Sequence, residues 1–424
     1  ELKKIIETGS DEEIFIGFKP DDSGELAQLA LSDGKNIYKI KSEFSNLKNI
    51  FENEKIKKIG HNLKFLLKAL NRLRINLKGI NFDIELAAYI LSPGGRGYDL
   101  GNLILKELGK SAPKDPEDFL IFGVGLLRQL KTILLSRLTA TGTVKLFEEI
   151  EMPLIPILSE MEMTGIKVNA KKLKILSNNI KKHLNTLEKN IYQLAGEKFN
   201  INSPQQLSEI LFLKLKIPGA LSGGRIRKTP GGALSTGAAE LEKLKSHNKI
   251  IDFILKYREL SKLKSTYTDT LPDMVDGEGR IHTTYNQTGT ASGRLSSQDP
   301  NLQNIPARGE FGDEIRKAFI AESGFKFISV DYSQIHLRII AALANDKKMI
   351  EAFAAGLDIH KFTAAEINNV PMEKVTPQMR FAAKELNFGI IYGMGAQSFA
   401  ESAGIGREKA QHHAAISHRS RGAF

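Results

Sequence analysis

One stretch leaves the chain little conformational choice. Thr376-Pro377 reads as a helix start, with threonine as N-cap and proline at the first helical position. In the run that follows, Arg380 to Gly393, the residues Arg380, Lys384, Phe388 and Tyr392 recur every four positions. On a helix this spacing makes one slowly wrapping stripe. The stripe opens with two like charges a turn apart, which repel by roughly a few tenths of a kcal/mol when unpartnered. No acid stands at 376, 377, 381 or 388 to relieve them. A polyanion laid along this face relieves them, and the aromatics further along can stack on a flat ring. A nucleoside triphosphate offers both groups. A solvated surface helix with a Phe/Tyr edge in a core fits the same pattern, and periodicity alone does not choose.

A second segment adds weight. Phe325 to Val330 alternates and then turns apolar, which predicts a strand. It would deliver Asp331 at its C-terminal end, heading the run Asp331-Tyr332-Ser333-Gln334-Ile335-His336-Leu337-Arg338. A carboxylate there suits Mg²⁺; a helix N-cap is the plainer alternative. Upstream, Thr290 to Pro306 is polar and too long for a simple turn. Its Arg, Asn and Gln side chains suit base edges and phosphates, although an ordinary irregular loop has the same composition.

These three runs together resemble family A DNA polymerases, in the portion that forms the large fragment of bacterial DNA polymerase I. The T-x-S-G-R-L-S-S-x-D-P-N-L-Q-N-I-P, D-Y-S-Q-I-x-L-R and R-x-x-x-K-x-x-x-F-G-x-x-Y-G patterns occur in the family's order and spacing. The resemblance is strong from about residue 147 to 411 and weaker before that. It implies an α+β multidomain fold: a degenerate ribonuclease H-like exonuclease domain, then a right-hand polymerase domain with helical thumb, partial palm and partial fingers. The expected boundaries are 1–130 for the exonuclease-like domain, 131–149 for a linker, 150–275 for the thumb, 276–340 for the palm and 341–424 for the fingers.

The resemblance implies template-directed DNA synthesis in replication and repair, on a primer–template duplex with deoxynucleoside triphosphates and two Mg²⁺ ions. Asp331 and the Tyr332 carbonyl would hold metal. Arg380 and Lys384 would grip the triphosphate, with Lys384 protonating the leaving pyrophosphate. Phe388 and Tyr392 would pack against the base. His360, in Gly356-Leu357-Asp358-Ile359-His360, would touch the triphosphate. His336 stands where the family has a Glu that excludes ribose. Arg294 would meet the primer terminus, and Asn301, Gln303 and Asn304 the template. Arg258 and Lys262 would hold duplex phosphates, although plain solvation explains such helix charges equally well.

The chain departs from the family in two places. In the first domain Lys19-Pro20-Asp21 replaces an Asp-x-Glu pair, Leu66 stands where an Asp is needed, and no acid lies between Asp118 and Glu148. Proofreading is therefore expected to be lost. Asp83 is read as a helix cap. Near the other end a second catalytic carboxylate is missing, since only Glu401 and Glu408 follow Tyr392. The 424-residue chain, which starts at Glu1, thus reads as a fragment that would not extend a primer by itself. A non-catalytic DNA-binding remnant is the alternative reading.

Composition is compatible with this. There are 60 basic and 49 acidic residues, net +11, which suits a polyanionic partner. Residues 201–270 hold 12 basic against 6 acidic residues, net +6, and 218–237, rich in Gly and Ser, read as a basic hairpin tip. The absence of cysteine excludes disulfides and thiol chemistry. No apolar run was expected to approach a membrane span. A cytoplasmic, nucleoid-associated bacterial monomer is expected.

Overall fold

The computed structural model describes residues 13–411 apart from 219, 222–223, 226, 230, 307–308, 392–393, 404 and 409. Contacts divide the chain into two compact units, Glu1–Phe327 and Ile328–Phe424.

The first unit opens with a mixed sheet of β1 (Glu13–Pro20), β2 (Leu26–Ser32), β3 (Ile37–Ile40), β4 (Lys57–Gly60) and β5 (Ile80–Asp83). The spatial order is β3-β2-β1-β4-β5. β1 runs antiparallel to β2 and parallel to β4. Ile14, Phe15 and Ile16 in β1 are all buried, the mark of a central strand covered on both faces. α1 (Leu63–Arg72) connects β4 to β5, and α2 (Ile84–Leu91) follows β5 directly. Asp83 is indeed a cap, and it serves two helices. Its carboxylate accepts from Glu85 N and Leu86 N at the start of α2, and from Leu63 N of α1 at 2.7 Å. Burial pushes its carboxyl above the usual range despite those donors.

α3 (Pro116–Ala140) begins at an Asp115 cap with proline in its first turn. Contrary to the composition-based expectation, α3 is long and apolar enough to cross a membrane by length and composition. Its Leu120, Val124, Leu127, Leu130, Leu134 and Leu138 are buried in the domain core, the stripe of a helix lying on a sheet. It continues past residue 130 without a break.

Then come α4 (Met152–Thr164), α5 (Ala170–Ala195) and α6 (Lys249–Leu263). α5 and α6 bury Leu173, Leu176, Ile180, Leu260 and Leu263 in one shared core. Ser203 caps the short helix Pro204–Ser208, as its Ser-Pro signal predicts. Ala220–Leu221 and Gly224–Arg225 pair antiparallel, at the expected hairpin. Further on, β6 (Thr284–Asn286) pairs with β7 (Ser296–Gln298).

Buried ions tie the first domain to these later segments. Glu162 of α4 binds Lys64 and Lys68 of α1, both at 2.5 Å, and accepts from Tyr285 N at 2.9 Å. Gln287 Nε2 donates to the Glu151 carboxylate at 2.7 Å and to its carbonyl.

The second unit is helical: α7 (Ile335–Leu343), α8 (Lys347–Ala354), α9 (Ile359–Asn368), α10 (Pro377–Ile391) and α11 (Ala396–Ala403). Ala364, Ile367, Ala383, Leu386 and Phe399 form its main core. The expected strand Phe325–Val330 is not one. No described residue pairs with it, and Ile328 and Val330 are 88% and 89% exposed. Alternation supplies strand preference, but a strand persists only where its N–H and C=O groups find a ladder partner.

Candidate functional site

In the second unit the site is built on the facing pair α9 and α10. α10 starts as its sequence predicts: Thr376 Oγ1 accepts from Met379 N at 3.2 Å. α9 starts at Asp358, whose Oδ1 accepts from His360 N and Lys361 N. The other oxygen, Oδ2, accepts from Arg380 Nε at 2.7 Å. This corrects the view of Arg380 as a cation without a nearby acid. The acid comes from another helix, where spacing within one helix cannot reveal it. Burial raises the Asp358 carboxyl pKa, but Arg380 and the two N–H donors outweigh it and hold it below the usual range.

Arg380 uses Nε for Asp358, which leaves the terminal guanidinium nitrogens for a second anion. Lys384, one turn on, is half-buried and has no hydrogen-bond or ion-pair partner among the described residues. His360 is 4% exposed. Its Nδ1 lies 3.1 Å from Asn387 Nδ2, and the Phe388 ring packs on it at 5.7 Å. Burial lowers the imidazole pKa, the charges of Arg380 and Lys384 lower it further, and Asp358 opposes them. The ring is therefore neutral at pH 7. Asn387 is fully buried and also meets Thr363 Oγ1. Neither Asn387 nor Asp358 was singled out from the sequence, although both lie inside the runs that carried the resemblance.

Asp331 and Tyr332 are exposed in a segment with no regular secondary structure. Gln334, not Asp331, is the residue before α7, so the N-cap alternative for Asp331 falls. Among the described residues no three His, Asp or Glu side chains could jointly hold a metal ion. Asp331 and a carbonyl do not by themselves complete a two-metal set. His336 is exposed on the first turn of α7. Tyr392 lies outside the described residues, as do His412, His413 and His418.

The remaining candidates belong to the first unit. Lys262 is exposed on α6. Arg258 is half-buried, and its guanidinium donates to the Thr236 carbonyl, so at least one of its donors serves the fold. Arg294, Asn301, Gln303 and Asn304 are exposed on the loop after β6 and around β7. Gln303 Nε2 donates to Leu295 O at 2.9 Å, and Asn301 accepts from Gln303 N. These bonds shape the loop and leave its outer edge polar.

In the sheet domain, Lys19 lines a cavity of about 340 Å³ with Phe18, His61, Asn62 and Phe119. Leu66 is fully buried in the core. Asp21 is engaged in its own turn, accepting from Ser23 and from Glu25 N. Phe18 and Phe65 stack at 4.9 Å. Of the positions where the resemblance implies metal-binding carboxylates, Leu66 packs in the core and Lys19 borders a cavity.

A sequence profile of DNA polymerase family A matches residues 170–416. The chain belongs to this family. A profile of the ribonuclease H-like domain of DNA polymerase I matches residues 23–130, so the five-stranded sheet domain is ribonuclease H-like and a family A polymerase domain follows it. The chain is 41% identical over 388 residues to DNA polymerase I of Caldicellulosiruptor bescii, covering 91% of this chain and 45% of that one. It is 48% identical over 267 residues to the thermostable DNA polymerase I of Thermus aquaticus, covering 63% of this chain and 32% of that one. The chain thus spans less than half the length of these relatives. A solved structure, the POL domain of Pol1 from M. smegmatis in complex with DNA primer-template and dNTP, superposes with a TM-score of 0.88 at 30% identity. That superposition covers 99% of this chain and 74% of the other.

Proposed function

We propose that the chain is the part of a DNA-directed DNA polymerase that grips the primer–template duplex and the incoming deoxynucleoside triphosphate. One observation carries the reading: Arg380, Lys384 and a neutral His360 share the α9–α10 pair, and only Arg380 among them is paired to an acid. A triphosphate can take the free guanidinium nitrogens and the Lys384 ammonium as charge-assisted donors. Lys384 is the candidate to protonate a leaving pyrophosphate. Phe388 offers a stacking face to the base, the role also expected of Tyr392. Lys262, Arg294, Asn301, Gln303 and Asn304 supply duplex and template contacts, with Arg258 contributing what its Thr236 bond leaves over. His336 replaces the family's Glu and is expected to exclude a ribose 2′-OH less well than His336→Glu does.

Asp331 and the Tyr332 carbonyl form one side of a Mg²⁺ site. The two-metal reaction of the family needs a further carboxylate, so catalysis is not assigned to these residues alone. A non-catalytic DNA-binding piece is the second reading. In either case the ribonuclease H-like domain acts as scaffold and does not proofread.

Titration with labelled primer–template, with and without nucleotide, tests the reading. Duplex affinity should fall steeply with salt and rise with the matched dNTP, and Lys384→Ala should erase that rise. Matched and mismatched dNTPs acting alike, or a salt-independent affinity, would sink it. Primer extension by this 424-residue chain, abolished in Asp331→Ala, would overturn the incomplete-site view.

A further inference from the structure

The protonation pattern of His360 is set by a residue that no triphosphate contact requires. Asn387 comes from the third turn of α10 and is fully buried. Its Nδ2 lies 3.1 Å from His360 Nδ1. An amide nitrogen can only donate, so Nδ1 accepts and carries no proton. A neutral imidazole has one ring N–H, which then resides on Nε2. Nε2 has no hydrogen-bond partner among the described residues. The Phe388 ring against the imidazole, tilted by 45°, limits how far it can turn. Thr363 Oγ1 bonds the same amide at 3.2 Å, which holds it in the plane between the helices. Turning the amide over would set Oδ1 against Nδ1 and transfer the proton there, so amide orientation and tautomer are one variable.

We propose that Asn387 is a positioning residue that fixes His360 as the Nε2–H tautomer, so that His360 offers a triphosphate a hydrogen-bond donor. The sign of the contact depends on this choice. Phosphate oxygens are acceptors only, and a ring nitrogen carrying a lone pair would face them as a second acceptor. Neutrality of the ring follows from its burial and from the Arg380 and Lys384 charges, which together prevail over Asp358. The tautomer stands on the geometry alone; its consequence rests on the triphosphate reading of the site.

Long-range ¹H–¹⁵N correlation spectra of the full chain, with His360 assigned by loss of its signals in His360→Gln, read the tautomer directly. The natural chain should show a neutral ring protonated on Nε2. A ring protonated on Nδ1, or doubly protonated at pH 7.5, would overturn the inference. Asn387→Asp sets an acceptor against Nδ1 and should bring a proton to it; an unchanged spectrum in that variant counts against the proposal. Inorganic tripolyphosphate is the binding probe. Asn387→Ala should weaken it about tenfold, the worth of one charge-assisted hydrogen bond. In a His360→Gln background, where the side-chain amide donates without any tautomer, Asn387→Ala should change binding little. An equal loss in both backgrounds would mean that Asn387 matters only to the fold, and would defeat the proposal. If the natural chain bound no tripolyphosphate, the triphosphate reading would fall, and the spectra would still decide the tautomer.

Discussion

The two units use charge in opposite ways. In the first, Lys58, Asp83 and Glu162 are buried, and their charged or polar atoms are taken up by the protein itself. Lys58 Nζ donates to the Asn53 carbonyl at 2.5 Å, and burial brings its pKa down to about 8. In the second, Arg380 and Lys384 stay partly exposed along one helix, and a single carboxylate restrains only one of them. The ribonuclease H-like domain keeps its strands and core with Leu66 and Lys19 at the positions where the resemblance leads one to expect carboxylates. Packing depends on shape and apolar area, whereas a metal site depends on a few carboxylates, so the core does not need the carboxylates that proofreading would. In the helix pair, cations remain where a ligand can compete for them.

Putting an acid back should break the first domain rather than revive it. Leu66→Asp loses a buried leucine and buries a carboxylate, and should cost about 5 kcal/mol in denaturant unfolding. A cost below about 1 kcal/mol, with Mg²⁺-dependent shortening of single-stranded DNA, would show that the metal site is nearly intact. The natural chain should leave such DNA whole.

Glu162→Ala comes next. It removes the partner of Lys64 and Lys68 and the acceptor of Tyr285 N, and should cost about 3–5 kcal/mol. The sheet domain should then lose its protection from proteolysis separately from the α5–α6 core. A single cooperative transition of unchanged midpoint would mean that the ion cluster does not couple the two.

Lys58 gives a smaller effect with a defined pH window. Its folded pKa of about 8 lies below the 10.5 of the unfolded chain. Between those values the unfolded state binds the extra proton, so stability should rise with pH, by about 1.4 kcal/mol per unit from this group. Below the folded value the burial cost is fully present. Lys58→Met should therefore stabilise the chain at pH 7 and lack the alkaline rise. Parallel pH profiles for the two proteins would refute the assignment.

The smallest change should come from the second unit. Asp358→Asn keeps an oxygen for the α9 cap and loses the charge facing Arg380. It should cost under about 1 kcal/mol, as exposed ion pairs do, yet alter tripolyphosphate affinity measurably. A large loss of stability with unaltered binding would make Asp358 a fold residue and erase the contrast between the units.

Much of this was legible in local pattern. Thr376-Pro377, Ser203-Pro204 and Asp83 start the helices that their side chains cap, because capping reaches only two or three residues along the chain. The strands at Ile14 and Ile37 follow their apolar runs, and the long helix at Ala170 follows its apolar period. The three motif runs pointed to the family, and the profile matches bear that out. Local pattern failed where the partner is distant in sequence. Phe325–Val330 has strand composition without a strand to pair with among the described residues. α3 has the composition of a membrane helix, and only the sheet beneath it makes it a core helix.

The sequence alone therefore determined the family, the helix starts, and which side chains carry charge or aromatic rings. Only the tertiary structure decided what those side chains are bound to. It gave Arg380 a carboxylate from α9, gave His360 a buried amide from α10, and tied Arg258 to a backbone carbonyl. The physical reason is range. Backbone propensity and capping act over a few residues, whereas ion pairs and buried hydrogen bonds form between whatever groups the packed helices bring within 3 Å or so.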